Sequence, residues 1–211
     1  MSLKPSKEQQ TIIDNIKINN NIICDAVAGA GKTTTVISIA KQLPNKNILQ
    51  ITYNSQLKTE TRERVKSEKI TNLKIHTYHS LVKNYYDNDV YTDDKMVNVI
   101  NIDKDLINSY DLDILIIDEA QDMTQLYYTL LKKYLNDIYK SDIQVVILGD
   151  KNQGIYKFKN ADIRYLTLGD KLWKGKFINC PLHTSYRLTD NISWFINRIV
   201  LGKKRIKTIK I

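Results

Sequence analysis

The chain is poor in the residues that mark secreted, metal-stapled or flexible proteins. Its 211 residues include two cysteines, three prolines and seven glycines. Neither Cys24 nor Cys180 belongs to a Cys-x-x-Cys pair or follows a histidine cluster, so a zinc site is not expected. Both thiols are interpreted as buried, and a disulfide between them is an alternative that a reducing compartment disfavours. With so little glycine and proline available for linkers, one compact domain is expected.

Long apolar runs are also missing. No stretch of about 18 apolar residues is present to span a membrane. Residues 1–7 are polar and charged, without the apolar segment of a secretion signal. We therefore expect a protein that is not secreted and has no membrane partner, located in the cytoplasm or nucleus, with a viral origin left open.

The charge balance is positive. The chain has 32 basic and 23 acidic residues and a formal net charge of +9. This excess fits a polyanionic partner, because Lys and Arg neutralise phosphates and release counterions. The lysines are scattered except in residues 203–210, and an AT-rich genome produces a chain rich in Lys, Asn and Ile whatever its function. Charge alone therefore supports nucleic-acid binding and its absence equally.

Short runs of β-branched residues alternate with longer helical patterns, which predicts an α/β fold with a mostly parallel sheet. The near-continuous hydrophobicity of the strands indicates burial on both faces. The predicted strands are residues 21–24, 48–53, 73–76, 114–117, 145–148 and 176–180. The predicted helices are residues 7–17, 32–43, 55–66, 78–86, 103–109, 124–138, 161–168 and 191–201. The polar stretch 87–101 is predicted to be a surface connection or small insertion.

A glycine-containing loop follows the first strand and leads into a helix. A phosphate needs backbone N–H groups without Cβ obstruction, which Gly29 and Gly31 permit, and a helix N-terminus favours its charge. Lys32 is predicted to reach the β- and γ-phosphates, and the Thr33 hydroxyl to bind Mg²⁺. Alanine replaces the first glycine of the usual pattern, and an ordinary strand-to-helix turn is the alternative. The predicted nucleotide contacts of this loop are Ala28, Gly29, Ala30, Gly31, Lys32, Thr33 and Thr34.

Two acids, Asp118 and Glu119, directly follow the strand predicted at 114–117. In an open parallel sheet the functional edge lies at the carboxyl ends of the strands, so these acids should emerge beside the phosphate loop. Asp118 is predicted to hold Mg²⁺, directly or through water, and Glu119 to orient or deprotonate the attacking water. The alternative is a solvated acidic turn.

The following strand leads to Gln153, whose uncharged donor and acceptor suit the sensing of a γ-phosphate. Tyr156 and Phe158 come next. Such aromatics stack on unpaired bases, each contributing about 1 to 3 kcal/mol, and both are candidate nucleic-acid contacts. Packing in the core is the alternative, favoured for Tyr156, whereas stacking is favoured for Phe158.

Taken together and in order, seven segments resemble superfamily 1 helicases of the UvrD/Rep/PcrA group. They are Gln9 within residues 6–10, residues 28–33, residues 52–54 followed by Glu60, residues 77–80, residues 118–122, residues 149–150 with 153–156, and residues 185–187. The shortness of residues 80–117, where bacterial relatives insert an accessory subdomain, also resembles the F-box DNA helicase branch and viral relatives.

The resemblance implies a RecA-like P-loop NTPase fold with helices on both faces of the sheet, and an ATP- and Mg²⁺-dependent helicase or translocase acting on single-stranded DNA. RNA is left open. Gln9 would then read the adenine edge, Tyr186 would stack on the adenine, and Arg187 would approach the γ-phosphate. Thr34 stands where the family usually has a basic residue, which implies looser nucleotide selectivity.

The family contacts DNA at two further strand ends. By resemblance, Tyr53, Asn54, Thr77 and His79 are predicted nucleic-acid contacts. The alternative for Asn54 and Thr77 is a role as helix caps, which is compatible with DNA contact. Phe158 takes the place of the usual Trp and keeps a stacking face.

We expect residues 1–211 to form a single RecA-like ATP-binding lobe with a small insertion near 84–110 and without the second motor lobe. A monomer of this kind should bind nucleotide but hydrolyse it slowly, because an arginine supplied across the cleft is worth about a thousandfold or more in rate. One alternative is an ATP-regulated nucleic-acid-binding protein without motor activity. A small-molecule kinase fits the phosphate loop but gives no role to Gln153 or Arg187.

Overall fold

The computed structural model describes residues 4–154 and 160–210, and its centre is a six-stranded sheet. The strands are β1 (Asn21–Asp25), β2 (Ile48–Thr52), β3 (Leu73–Thr77), β4 (Ile114–Ile117), β5 (Gln144–Gly149) and β6 (Phe177–Asn179). They lie in the order β3-β2-β4-β5-β1-β6, and each neighbouring pair is parallel. The predicted parallel α/β architecture is therefore confirmed.

Helices cover both faces of this sheet. They are α1 (Lys7–Lys17), α2 (Lys32–Gln42), α3 (Ser55–Ser67), α4 (Tyr78–Tyr85), α5 (Asp93–Asn101), α6 (Gln125–Asp137), α7 (Arg164–Thr167), α8 (Gly169–Leu172) and α9 (Asp190–Phe195). Two hydrophobic layers result, because successive residues of a strand point to opposite faces. Ile22 packs in the layer beneath α1 and α2, whereas Ile23 packs in the layer beneath α4 and α6. Burying one such isoleucine stabilises the fold by about 1.5 to 3 kcal/mol.

Polar residues decide where several helices begin. Ser6 and Gln9 form a reciprocal capping box at the start of α1, and Thr124 accepts a hydrogen bond from the backbone of α6. Such caps satisfy amide groups that the first turn leaves without partners and contribute about 1 kcal/mol each. The sequence patterns therefore place these helix starts correctly.

The helix predicted at residues 103–109 was wrong, and the stretch 87–101 is more regular than its polarity suggests. A helix, α5, forms at Asp93–Asn101, and the predicted helix at 103–109 is absent. Thr92 caps α5, two aspartates lie in its first turn, and Met96 and Val99 are buried. Acidic residues in a first turn complement the helix dipole, so the polarity that suggests a loop here starts a helix instead. The helix predicted at 161–168 also differs, since α7 and α8 form two short pieces.

A second, smaller sheet follows the first along the chain. It consists of β7 (Thr184–Thr189) and β8 (Lys207–Lys210), which pair in parallel and are joined through α9 and a π-helical turn at Ile196–Val200. Neither strand is predicted from the sequence, because both are short and mostly polar or basic. The helix predicted at 191–201 is confirmed as α9 and the turn that extends it.

Two other expectations concern cysteine and membranes. Cys24 and Cys180 are both free thiols and both buried, which confirms their interpretation as core residues. Within the described residues, none of the helices combines the length and the apolar character needed to cross a membrane.

Candidate nucleotide-binding site

The loop between β1 and α2 has the backbone conformation that phosphate binding requires. Gly29 and Gly31 adopt left-handed conformations, with φ of 72° and 84°. A Cβ on Gly29 would lie 2.5 Å from the Cβ of Arg187, and one on Gly31 would lie 2.9 Å from Nε2 of Gln9. The left-handed conformation favours glycine at both positions, and at Gly29 the space beside Arg187 also excludes a side chain. The loop therefore presents its backbone at the N-terminus of α2.

A cavity of about 340 Å³ opens over this loop. We call it the loop cavity. Its walls are Val27, Gly29 to Thr34, Leu57, Glu119, Tyr186 and Arg187. Most of the residues predicted to contact the phosphates and the γ-phosphate arginine thus share one cavity. Ala28 lies beneath it, where its carbonyl oxygen accepts a hydrogen bond from Ser185.

An ion pair joins the loop to the end of β4. The Nζ of Lys32 lies 3.2 Å from Oε2 of Glu119, and both side chains are largely buried. Burial lowers the pKa of Lys32, but the negative charges of Glu119 and Asp118 outweigh it, so the pKa is raised and the amine stays charged. The predicted phosphate-binding cation and hydrolysis carboxylate are therefore adjacent.

Asp118 is a buried acid of the site. Its oxygens accept hydrogen bonds from Gln50 Nε2 and from the backbone N–H of Glu119, at 2.9 Å each. Burial, and then the charge of Glu119, raise the pKa of Asp118 to about 6, while Lys32 opposes the shift. Such a carboxylate is stabilised in its charged form by an additional cation at the same place.

Glu119 adopts a conformation that is rare for a residue with a side chain, with φ of 52°. Strained backbone of this kind persists where surrounding contacts hold it and is common at functional sites. Here the Glu119 carboxylate is fixed on two sides, by Lys32 and by Gln121 Nε2 at 2.8 Å. These two contacts hold the carboxylate at the wall of the loop cavity.

Gln153 is connected to the Glu119 carboxylate through a chain of hydrogen bonds. Its Nε2 donates to Asp150 Oδ2 at 2.8 Å, and the N–H of Asp150 donates to Gln121 Oε1 at 3.0 Å. Because Gln121 also binds Glu119, hydrogen bonds connect the predicted sensor to the predicted hydrolysis carboxylate. Gln121 and Asp150 are not among the predicted site residues. The signal that could have found them is their polarity in the turns that end two apolar strands.

The predicted adenine contact, Gln9, is buried in this structure. Its Oε1 accepts from the N–H of Ser6 at 2.8 Å, and its Nε2 donates to the carbonyl oxygen of Gly31 at 3.3 Å. The amide therefore holds the start of α1 against the phosphate loop. The partly exposed Tyr186 is bound to the loop from the other side, because its N–H donates to the carbonyl oxygen of Gly29 at 2.9 Å.

Thr34, the departure from the family pattern, has a basic neighbour. Arg64 of α3 donates from Nη1 to Thr34 Oγ1 at 3.1 Å, and its Nε pairs with Glu68. A guanidinium thus lies beside the position where the family usually has a basic side chain. Sequence spacing cannot reveal this contact, since thirty residues separate the partners.

Two of the predicted nucleic-acid contacts, Tyr53 and Asn54, lie beside the loop cavity. Tyr53 and Asn54 line a cavity of about 530 Å³ together with Glu119, Gln121, Asp122 and Gln153. Asn54 caps α3 and Thr77 caps α4, so the cap alternative is present at both positions. His79 Nε2 lies 3.0 Å from Asp93 Oδ1. Tyr156 and Phe158 lie outside the described residues.

Ser185 is a residue of the site that the sequence did not single out. It is fully buried, and its hydroxyl donates to the carbonyl oxygen of Ala28 at 2.8 Å. The same oxygen accepts from the N–H groups of Arg187 and Leu188 at 3.3 and 3.1 Å. One hydroxyl therefore ties the phosphate loop to the strand that carries Arg187. Only its position next to Tyr186 in the motif hints at this role.

Replacing Ser185 with alanine is expected to weaken Mg-ATP binding about five- to tenfold. Three backbone groups then lose the hydrogen-bond partner that joins the phosphate loop to β7, and the total effect is roughly 1 to 1.5 kcal/mol. Titration calorimetry with ATP and ADP measures this, and ATP should lose more if Arg187 meets the γ-phosphate. Ser193→Ala is the matched control. Ser193 is a buried serine of the same C-terminal unit, residues 184–210, and donates to Ile206 instead of the loop. Its replacement should therefore lower the melting temperature without changing the affinity. Equal affinities for all three proteins would contradict the role of Ser185.

Fold and site together define a lobe of the P-loop nucleoside triphosphatase class. The model of the AAA domain family matches residues 9–159, and the chain belongs to this family. Comparison with curated protein sequences gives no match.

Solved structures of Pif1 helicases share the fold. Pif1 from Bacteroides sp in complex with ADP-AlF4 is 18% identical, with a TM-score of 0.56 over 93% of this chain and 46% of that one. Pif1 from Candida albicans is 16% identical, with a TM-score of 0.56 over 85% of this chain and 40% of that one. A Pif1 structure that addresses DNA unwinding at forked dsDNA by two coordinating helicases is 19% identical, with a TM-score of 0.58 over 93% and 48%.

These similarities confirm the predicted RecA-like fold. The chain spans less than half the length of these Pif1 chains. At this level of identity the likeness shows the fold alone.

Proposed function

We propose that the chain is the ATP-binding lobe of a DNA helicase or translocase that couples ATP hydrolysis to movement on single-stranded DNA. One observation carries the proposal. Lys32, Glu119 and Gln153 follow the carboxyl ends of three neighbouring strands, β1, β4 and β5, and are joined through Gln121 and Asp150. A cation for the phosphates, a carboxylate for the attacking water and a polar sensor are the groups that phosphoryl transfer to water needs.

In this proposal each residue of the loop cavity has a separate chemical role. The backbone of Gly29 to Gly31 and the N-terminus of α2 bind the phosphates, and Lys32 leaves Glu119 to neutralise the β- and γ-phosphates. Freed from that ion pair, Glu119 accepts a proton from the attacking water. Arg187, on the far wall, stabilises charge that develops on the γ-phosphate. Gln9 and Tyr186 are the proposed adenine contacts.

Mg²⁺ is the proposed metal cofactor, and Thr33 and Asp118 would hold it. The donors fit this hard cation, which prefers oxygen ligands and keeps several waters. Asp118 is a buried carboxylate without a second cation beyond Lys32, and Asp122 Oδ1 nearby is buried with no hydrogen-bond partner among the described residues. Bound there, Mg²⁺ would neutralise charge on the β- and γ-phosphate oxygens.

The proposed nucleic-acid partner is single-stranded DNA. Support comes from the cavity that Tyr53 and Asn54 share with Glu119 and Gln153, since contacts there would couple strand binding to the nucleotide site. The similar Pif1 structure that concerns unwinding of forked dsDNA also supports DNA as the substrate. Tyr156 and Phe158, which directly follow the sensor segment, remain proposed stacking residues.

The decisive experiment measures ATP binding and ATP hydrolysis with and without single-stranded DNA. It uses this chain and a version that includes any residues its gene encodes after Ile211. We expect Mg-dependent ATP binding by this chain, slow hydrolysis, and DNA stimulation where a second lobe is present. Binding of ATP without any DNA-stimulated hydrolysis in either protein would favour the ATP-regulated binding protein. Failure to bind Mg-ATP would overturn the proposal.

A further inference from the structure

A row of positive charge runs along one face of α3. Lys58, Arg62 and Lys66 recur at every fourth position, which places them on the same side of the helix. Within the described residues, none of the three forms an ion pair with a carboxylate. Arg64, on another face of the helix, pairs with Glu68 in the usual way. Like charges four residues apart destabilise a helix, so this row weakens α3 unless an anion binds to it.

Two members of this row, Arg62 and Lys66, line a groove of about 670 Å³ at the edge of the sheet, which we call the basic groove. The groove lies along β3, the outermost of the described strands on that side. Lys74 of β3 adds a further cation, with its Nζ 3.9 Å from the ring centre of Tyr110. Asn84, Asn108 and Ser109 supply polar side chains on the opposite wall, and no lining residue is acidic. The groove thus combines cations with neutral hydrogen-bonding groups.

The positive charges of the basic groove act together on one of its lining residues. This residue is His76, and its pKa is lowered to about 4, first by burial and then by the positive charges of Arg62, Lys74 and Lys58. Three cations from two elements therefore act on one point. The imidazole stays neutral at pH 7 and adds no charge of its own.

The basic groove is continuous with the proposed DNA contacts. Helix α3 starts directly after Asn54, and α4 starts after Thr77, at the end of the strand that forms the groove's edge. From Lys58 to Lys66 the row extends about 12 Å along the helix axis. A strand held at the tips of β2 and β3 could therefore continue down the side of α3.

We propose that the basic groove binds the backbone phosphates of a nucleic-acid strand and extends the strand's path beyond the contacts at Asn54 and Thr77. This inference rests on the proposed function, since it deepens the same nucleic-acid interaction. Cations that are not paired with a carboxylate, arranged in a row, neutralise successive phosphates and release their counterions. The neutral groups on the opposite wall suit sugar and base edges.

An acidic peptide fits the basic groove less well. A peptide strand that adds to the edge of a sheet needs the free carbonyl groups of that edge. Arg62 occupies one of them, because its Nε donates to the carbonyl oxygen of Ile75 at 2.9 Å and its Nη2 donates to the same oxygen. The edge is therefore blocked at the centre of β3, whereas the cations above it remain available to phosphates.

The test removes two charges from the basic groove without touching its buried parts. The variant Lys66→Gln with Lys74→Gln alters two exposed side chains and leaves Arg62 on its carbonyl. Its matched control is Lys174→Gln with Lys176→Gln, which removes two exposed charges next to β6, at the opposite edge of the same sheet. The probe is a fluorescein-labelled oligothymidylate, and anisotropy measures its affinity at several salt concentrations.

We expect the groove variant to bind the oligonucleotide about tenfold more weakly than the parent at low salt, and its slope of log K against log salt to fall by about 0.7 per lost contact. The control should match the parent. Equal slopes for parent and groove variant would overturn the inference, and so would a parent that binds no oligonucleotide. Inorganic polyphosphate serves as a competitor. If it displaces the probe as effectively, per phosphate, as the unlabelled oligonucleotide does, the groove binds phosphate in general rather than a nucleic-acid strand, and this would overturn the inference. Mg-ATP titration of the same proteins keeps the outcomes separate, because a parent that binds DNA but not ATP contradicts only the proposed function.

Discussion

Lys32→Ala is expected to abolish measurable Mg-ATP binding while the chain stays folded. The amine is the cation nearest the loop, at 3.2 Å from Glu119, and a charge-assisted contact to phosphate contributes about 1.5 to 3 kcal/mol. Its loss also leaves Glu119 and Asp118 without their compensating charge, so the site becomes repulsive to a triphosphate. Together these effects correspond to a loss of affinity of about a hundredfold or more.

The fold should survive because Lys32 lies at the rim of the site. The Lys32 side chain is 15% exposed. When it is removed, water can hydrate the Glu119 carboxylate. Calorimetry measures the affinity, and circular dichroism verifies the fold. Lys41→Ala is a suitable control, since Lys41 is in the last turn of the same helix and contacts Glu68. Binding of Mg-ATP by Lys32→Ala as tight as that of the parent would remove the basis of the nucleotide site.

The sequence predicts this part of the molecule well because its residues are local to strand ends. Lys32 follows a short loop after β1, and Asp118 directly follows β4. In a parallel sheet all carboxyl ends meet at one edge, so identifying the strands is enough to bring such residues together. The same reasoning predicts the position of Gln153, and the structure adds the chain of hydrogen bonds that connects it to Glu119.

Contacts between distant segments are not predictable in this way. Ser185 meets Ala28 and Arg64 meets Thr34 only because the chain folds back, and no periodicity encodes either contact. The short strand β7 was missed for the same reason, since its pairing with β8 and its contact with the loop define it more than its composition does. Local polarity misled the prediction at α5, where capping outweighs the loop-like composition.

Arg205 is the clearest case. It belongs to the basic stretch 203–210, the one concentration of lysine and arginine in the chain, which suggests an exposed polyanion contact. In the structure its side chain is 6% exposed and lies between two acids. Its Nη2 is 2.6 Å from Oδ1 of Asp25 and 2.9 Å from Oδ1 of Asp150. The residue therefore connects the C-terminal unit to the ends of β1 and β5.

Arg205→Met is expected to lower the free energy of unfolding by about 3 to 5 kcal/mol, since removing one partner of a buried ion pair leaves an uncompensated charge. Asp150, whose side chain is 3% exposed, is left without a cation. Asp25 is not, because Lys151 still pairs with it at 2.7 Å. For a chain of this length the loss corresponds to a fall in melting temperature of about 10 °C. Thermal unfolding followed by circular dichroism measures it.

Two further variants separate charge from packing. Lys204→Met, at an exposed neighbouring position, should leave the melting temperature nearly unchanged. Adding Asp150→Asn to Arg205→Met should recover part of the lost stability, because no unpaired carboxylate then remains while the asparagine oxygen can still accept from Gln153. If the double variant is no more stable than Arg205→Met, lost packing rather than the stranded charge explains the effect. If it does recover, the charge of Asp150, and with it the acceptor that orients Gln153, depends on an arginine 55 residues away in the sequence.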